Sequence, residues 1–180
     1  MNLQDRSLAL NCAYLAACAA KQLRIDTGER REGGMNALIS MLTVWLSLNF
    51  GLPATTDLPR VDLIPGPKLM EIRSRGLIGR NGLAYQAGQR EPMGLYINAD
   101  KTIYLRDDWT GRSAGDVSVL VHELVHHLQH IGNMRFECPQ EREQVAYKAQ
   151  EKWLSLFGRD LLNEFEIDPF TLLVSSRCIH

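Results

Sequence analysis

Val121-His122-Glu123-Leu124-Val125-His126-His127-Leu128-Gln129 decides how the chain is read. It contains His122-Glu123-x-x-His126, the spacing of a helical zinc site with a built-in base. Two His residues four apart on a helix stand one turn above each other on the same face, so both imidazoles reach one ion. Glu123 is the next residue after the first His, about 100° round the helix. That places its carboxylate beside the ion, where it can deprotonate a water. The stretch needs a helix around it and a third ligand from elsewhere.

The helix is written into the flanking residues. Ser113-Ala114-Gly115-Asp116 fits a capping box with Asp in place of Glu. Gly132 is a suitable C-terminal glycine. Wound from His122, residues Val117, Leu120, Val121, Leu124, Val125, Leu128 and Ile131 fall on an arc from about 160° to 300°. His122, Glu123, His126 and His130 fall between about 0° and 100°. One face is expected to be core and the other chemical.

A catalytic zinc site has three protein ligands and one open position. Gly132 occupies the place where a third His of the HExxHxxGxxH pattern would stand. His130 is a helical turn beyond His126, and three His at this spacing span about 12 Å along the axis. His127 and His130 are therefore expected to be cleft or surface residues. The next helix starts at Cys138-Pro139, with Pro in the first turn, and ends at Gly158. Its buried side is expected to carry Ala146, Ala149, Trp153, Leu156 and Phe157. Glu143 lies at the edge of that side, whereas Glu141 lies with Lys148 and Lys152 on the solvent face. Glu143 is the preferred third ligand.

The remaining chain supplies few rival functions. Its 180 residues are 45% hydrophobic and 23% charged, with a formal net charge of -1. This is ordinary for one globular domain and offers no basic surface for nucleic acid. Residues 3–25 read as an amphipathic helix with Leu8, Cys12, Leu15, Ala19 and Leu23 on one stripe, or as a short signal segment. Arg24 to Gly34 reads as a loop. Residues 35–50 read as a second helix, ended by Gly51 and Pro53, that packs antiparallel to the first. The run Met35 to Ala54 has no charge, yet Asn36, Ser40, Thr43 and Ser47 form a polar stripe. Its length could span a bilayer, but a core helix is favoured, and membrane association stays possible without being favoured. The protein is expected to be soluble, with export open if residues 1–20 are a signal.

Val61 to Ile64 reads as a short strand, and Lys68 to Arg75 as one or two helical turns stopped by Gly76. Residues 77–112 read as β-rich, with a hairpin formed by Gly94 to Asn98 and Lys101 to Leu105 about Ala99-Asp100. The hairpin is either purely structural or offers an edge to which an extended substrate pairs. Cys138 and Cys178 can meet as a disulfide or remain two buried thiols.

His122-Glu123-x-x-His126 followed by Glu143-x-x-Ala146-Tyr147 resembles the gluzincin class of zinc peptidases. More narrowly, it is similar to small bacterial zincin-like domains with HELVH-h-L-Q and a downstream E-x-x-A-Y helix. The resemblance spans about residues 94–157. It implies His122, His126 and Glu143 as zinc ligands. In gluzincins the fourth residue after the ligand Glu is often an Asp that holds a ligand His; here it is Tyr147.

The expected fold is α+β: a helix-rich minimal zincin-like domain with a small antiparallel hairpin or meander beside the HExxH helix. Residues 1–180 are expected to form one such domain: a helical pair at 1–50, a β-rich part at 60–112, two metal-binding helices at 113–158 and a tail at 159–180. The expected activity is a zinc-dependent hydrolase, a metallopeptidase acting on peptide or protein through Glu123. The alternatives are a zinc-binding scaffold without hydrolytic activity and a helical interaction protein with a chance motif. Tyr147, His127, His130 and Arg177 are all open as stabilisers of the oxyanion.

Overall fold

A computed structural model describes residues 28–81 and 91–178 of the chain. The helix expected at 3–25, the helical pair it would form and the signal alternative lie outside these residues. Among the described residues the order is α1 (Gly28–Phe50), β1 (Arg60–Ile64), α2 (Gly66–Asn81), β2 (Gly94–Ile97) and β3 (Thr102–Arg106). There follow α3 (Ala114–Ile131), α4 (Pro139–Ser155), α5 (Leu161–Glu164) and α6 (Pro169–Ser176). The fold is helix-rich α+β with a small mixed sheet.

The hairpin forms as the alternation of residues requires. β2 pairs antiparallel with β3, Tyr96 opposite Ile103. The Asp100 carboxylate accepts from the Thr102 backbone N–H at 3.2 Å, and Lys101 takes the left-handed position at φ 51°. β1 joins the other side of β3 in parallel, so the strand order is β1-β3-β2. Parallel pairing needs a crossover, and α2 lies between the two strands in sequence.

Two helices are longer than their glycines suggest. α1 begins at Gly28 and runs through Gly33 and Gly34, where a loop is expected. α2 runs through Gly76 to Asn81, so residues 77–81 are helical and not β-rich. A formed helix propagates more easily than it nucleates, and each interior glycine costs only about 1 kcal/mol. Residues 60–112 therefore carry a helix among three strands. The expected tail at 159–180 holds two short helices.

α1 ends at Gly51 with φ 64°, a conformation that suits glycine. Leu38, Ile39, Leu42, Trp45 and Leu46 are buried along it. The polar stripe holds at Asn36 and Ser40, which are exposed. Beyond them it is displaced by one residue: Thr43 is buried, and Val44 and Leu48 stand outside at 52% and 65% exposure. Among the described residues no helix is long and apolar enough to cross a membrane.

α3 is the central element. The Ser113 hydroxyl accepts from the Asp116 N–H at 2.9 Å, as the capping box requires. Gly132 does not take the left-handed position (φ -76°); Asn133 does, at φ 49°. The Met134 N–H donates to Gln129 O and the Asn133 N–H to His130 O, each at 3.0 Å. This is a Schellman motif with Asn in the glycine place. Gly132 is small for another reason: a Cβ there would lie 2.6 Å from Pro53 Cγ.

The expected split of α3 into one core face and one chemical face is too simple. All residues from Val117 to Gln129 are buried except His122, which is partly so. α1, the sheet and α4 all pack on α3, so its polar face is enclosed as well. On α4, Ala146, Ala149, Gln150, Trp153 and Leu154 are buried. Leu156 and Phe157, expected inside, are 38% and 41% exposed, because α4 ends at Ser155 and the chain turns away there. Trp153 meets Trp45 edge-on at 5.6 Å between ring centroids, which locks α4 onto α1.

Candidate metal centre

His122 and His126 project from one side of α3 toward Glu143 on α4. His122 Nε2 and His126 Nε2 are 3.3 Å apart, and each lies 3.2 Å from Glu143 Oε2. Their side chains are 13%, 7% and 32% exposed, so the triangle is enclosed but reachable. Sequence winding and structure choose the same carboxylate. Glu141 instead accepts from the Glu137 backbone N–H at 2.6 Å, in the turn before α4.

Two glutamines fix both imidazoles. Gln129 Nε2 donates to Arg142 O at 2.9 Å, and a carbonyl can only accept, so Gln129 Oε1 faces His126 Nδ1 at 3.1 Å. Ser118 Oγ donates to Gly115 O at 2.7 Å and accepts from Gln150 Nε2 at 3.2 Å. Gln150 Oε1 therefore faces His122 Nδ1 at 3.1 Å. Both Nδ1 atoms carry the hydrogen, and both Nε2 lone pairs point at each other and at the carboxylate. With both imidazoles neutral, three acceptors face one another with no donor between them. Such an arrangement calls for a cation.

The electrostatics agree. Burial works against a charged His122, but Glu143, Glu123 and Gln150 outweigh it and raise its pKa. Burial also pushes the Glu143 carboxyl up, yet the two imidazoles hold it well below the usual carboxylate range. These groups favour positive charge at the centre of the triangle. His122, His126 and Glu143 can hold a metal ion.

Glu123 is 7% exposed and lies against β2. A Cβ on Gly94 would sit 2.9 Å from Glu123 Cγ, so the bare backbone of Gly94 makes room for the carboxylate arm. Tyr147 packs edge-on against His122 with ring centroids 4.8 Å apart, and burial raises the pKa of its hydroxyl. Its ring, not a carboxylate, braces this imidazole.

The other candidates separate. His127, expected in a cleft or at the surface, is wholly buried. Its Nε2–H donates to Asp57 O at 2.7 Å, and its Nδ1 accepts from the Tyr96 hydroxyl at 3.1 Å. Burial and nearby carboxylates push that phenol up to about 12, so it remains a donor. His127 ties the segment after α1 to α3 because its polar atoms reach partners inside. His130 is half-buried and lines a cleft. Arg177 follows α6 and is exposed.

Residue-level reading missed Gln129, Gln150 and Ser118 as supports. Gln150 carried a signal: it lies two turns beyond Glu143 on the same line of α4. Cys138 and Cys178 form a disulfide with Cα atoms 5.9 Å apart. It anchors the residue that caps α4, five residues before Glu143, to the chain after α6.

The profile of a domain of unknown function, DUF6647, matches residues 32–180. The chain belongs to this family. The DUF6647 match takes in α1 from residue 32 onward, both helices of the metal centre and the disulfide. No curated protein and no solved structure matches the chain.

Proposed function

We propose that this DUF6647 protein is a zinc-dependent hydrolase of gluzincin type, a metallopeptidase that cleaves peptide bonds. The observation that carries this reading is the triangle of facing acceptors with Glu123 beside it. Zinc sits about 2.0–2.1 Å from such donors, which in a tetrahedron places the donors about 3.3 Å apart. The edges of 3.2 and 3.3 Å match that spacing and support this reading.

A bound zinc ion supplies Lewis acidity, enough to bring the pKa of a water to about 7. With such an ion in place, Glu123 would take a proton from the attacking water and pass it to the amine that leaves as the peptide C–N bond breaks. Gln129 and Gln150 hold the imidazoles in the one tautomer that leaves Nε2 free. β2 is an edge of the sheet among the described residues, and Gly94 brings that edge against Glu123. An extended peptide pairing with β2 would lay its backbone past the carboxylate.

Glu123→Gln keeps the shape of the side chain and removes the base. It should retain the metal and lose at least about 100-fold in chelator-sensitive digestion of a peptide library. Digestion by the variant at the wild-type rate would sink the assignment of Glu123.

A further inference from the structure

A cleft of about 400 Å³ opens where the turn after β2, the end of α3 and the start of α4 converge. Its walls include Asn98, Gln129, His130, Asn133, Arg135 and Arg142, and none of its lining residues is acidic. Arg135 and Arg142 take part in none of the ion pairs among the described residues. Arg142 Nε is buried and without a hydrogen-bond partner. A buried, unsatisfied donor on a charged group is costly, and a guanidinium presents a planar fork matched to a carboxylate.

The end of α3 would ordinarily oppose an anion, because free carbonyls gather at a helix C-terminus. Here three of them are occupied. Leu128 O accepts from Gly132 N–H at 2.9 Å, and the Schellman bonds occupy Gln129 O and His130 O. The cleft thus has donors and two guanidinium groups without their usual counter-charges.

The cleft is tied to the metal centre. Gln129 bonds His126 through one amide atom and Arg142 O through the other. Arg142 directly precedes Glu143 in α4. Along β2, Gly94 lies at Glu123 and Asn98 lies at the cleft, four residues or about 13 Å of extended chain away. A substrate pairing with β2 would reach the cleft within a few residues of its scissile bond.

We propose that this cleft binds a carboxylate of the peptide substrate, so that the protein selects acidic peptides. The proposal rests on the peptidase reading, and its test is one of binding, so the two fail separately. The full-length Glu123→Gln protein, as purified, is titrated with acetylated, amidated hexapeptides carrying one Glu at each position in turn. A matched set carries Gln instead, and a third carries Gln with a free C-terminus. At least one Glu peptide, or the free-terminus set, should bind about tenfold tighter than its Gln counterpart. The first result assigns the site to a side chain and the second to a chain end.

Arg142→Gln should abolish the preference and Arg135→Gln should reduce it, with metal content unchanged in both. Arg135 is exposed, so its replacement tests the cleft even if Arg142→Gln folds poorly. Equal binding of all three sets, or a preference that survives both arginine substitutions, would overturn the proposal. So would inorganic phosphate binding with the same arginine dependence while no peptide binds.

Discussion

Gln150 Oε1 lies 3.1 Å from His122 Nδ1, on a helix that also supplies Glu143. One face of α4 thus provides the third side chain of the triangle and the orientation of the first. Gln129 does the same for His126 from within α3. Residues that orient a metal-bound His help to set its affinity for the metal. Gln150→Leu and Gln129→Leu should each weaken metal binding about 10- to 100-fold. Competition with a chromophoric chelator reads this directly; wild-type affinity in both variants would remove the glutamines from the site.

The disulfide closes a separation of 40 residues between Cys138 and Cys178. Loop closure of that length stabilises by about 4 kcal/mol when the effect is confined to the unfolded chain. Cys178→Ser should lower stability by an amount of this order, read from urea unfolding. It should also weaken metal binding, because the freed end of α4 precedes Glu143. Unchanged metal affinity in a destabilised variant would confine the bridge to stability.

Gly132 and Asn133 divide two roles that one glycine often fills. Gly132→Ala puts a methyl on Pro53, and overpacking of this kind costs about 1–3 kcal/mol. Asn133→Ala leaves a non-glycine residue at positive φ without the tolerance of Asn, at a cost of about 1 kcal/mol. Asn133→Gly should be tolerated. Thermal unfolding of the three variants orders them, and a fully stable Gly132→Ala would refute the close approach to Pro53.

The parts of this fold that local chemistry controls were legible in the residues. Ser113 and Asp116 announced the start of α3, and the residues about Ala99-Asp100 announced the hairpin. Helical winding separated Glu143 from Glu141. What failed to show depends on distant partners. The parallel pairing of β1 with β3 leaves no mark within Val61 to Ile64. His127 reads as a polar residue until Tyr96 and Asp57 O are placed around it. The helix through Gly33, Gly34 and Gly76 runs against local propensity.

Metal content after loading with zinc and desalting, by elemental analysis of wild type and Glu143→Ala, tests the centre itself. Wild type should hold one zinc per chain and the variant close to none, while both remain folded. A wild-type chain without zinc, or a variant that keeps a full equivalent, would contradict the triangle of His122, His126 and Glu143 as the metal site.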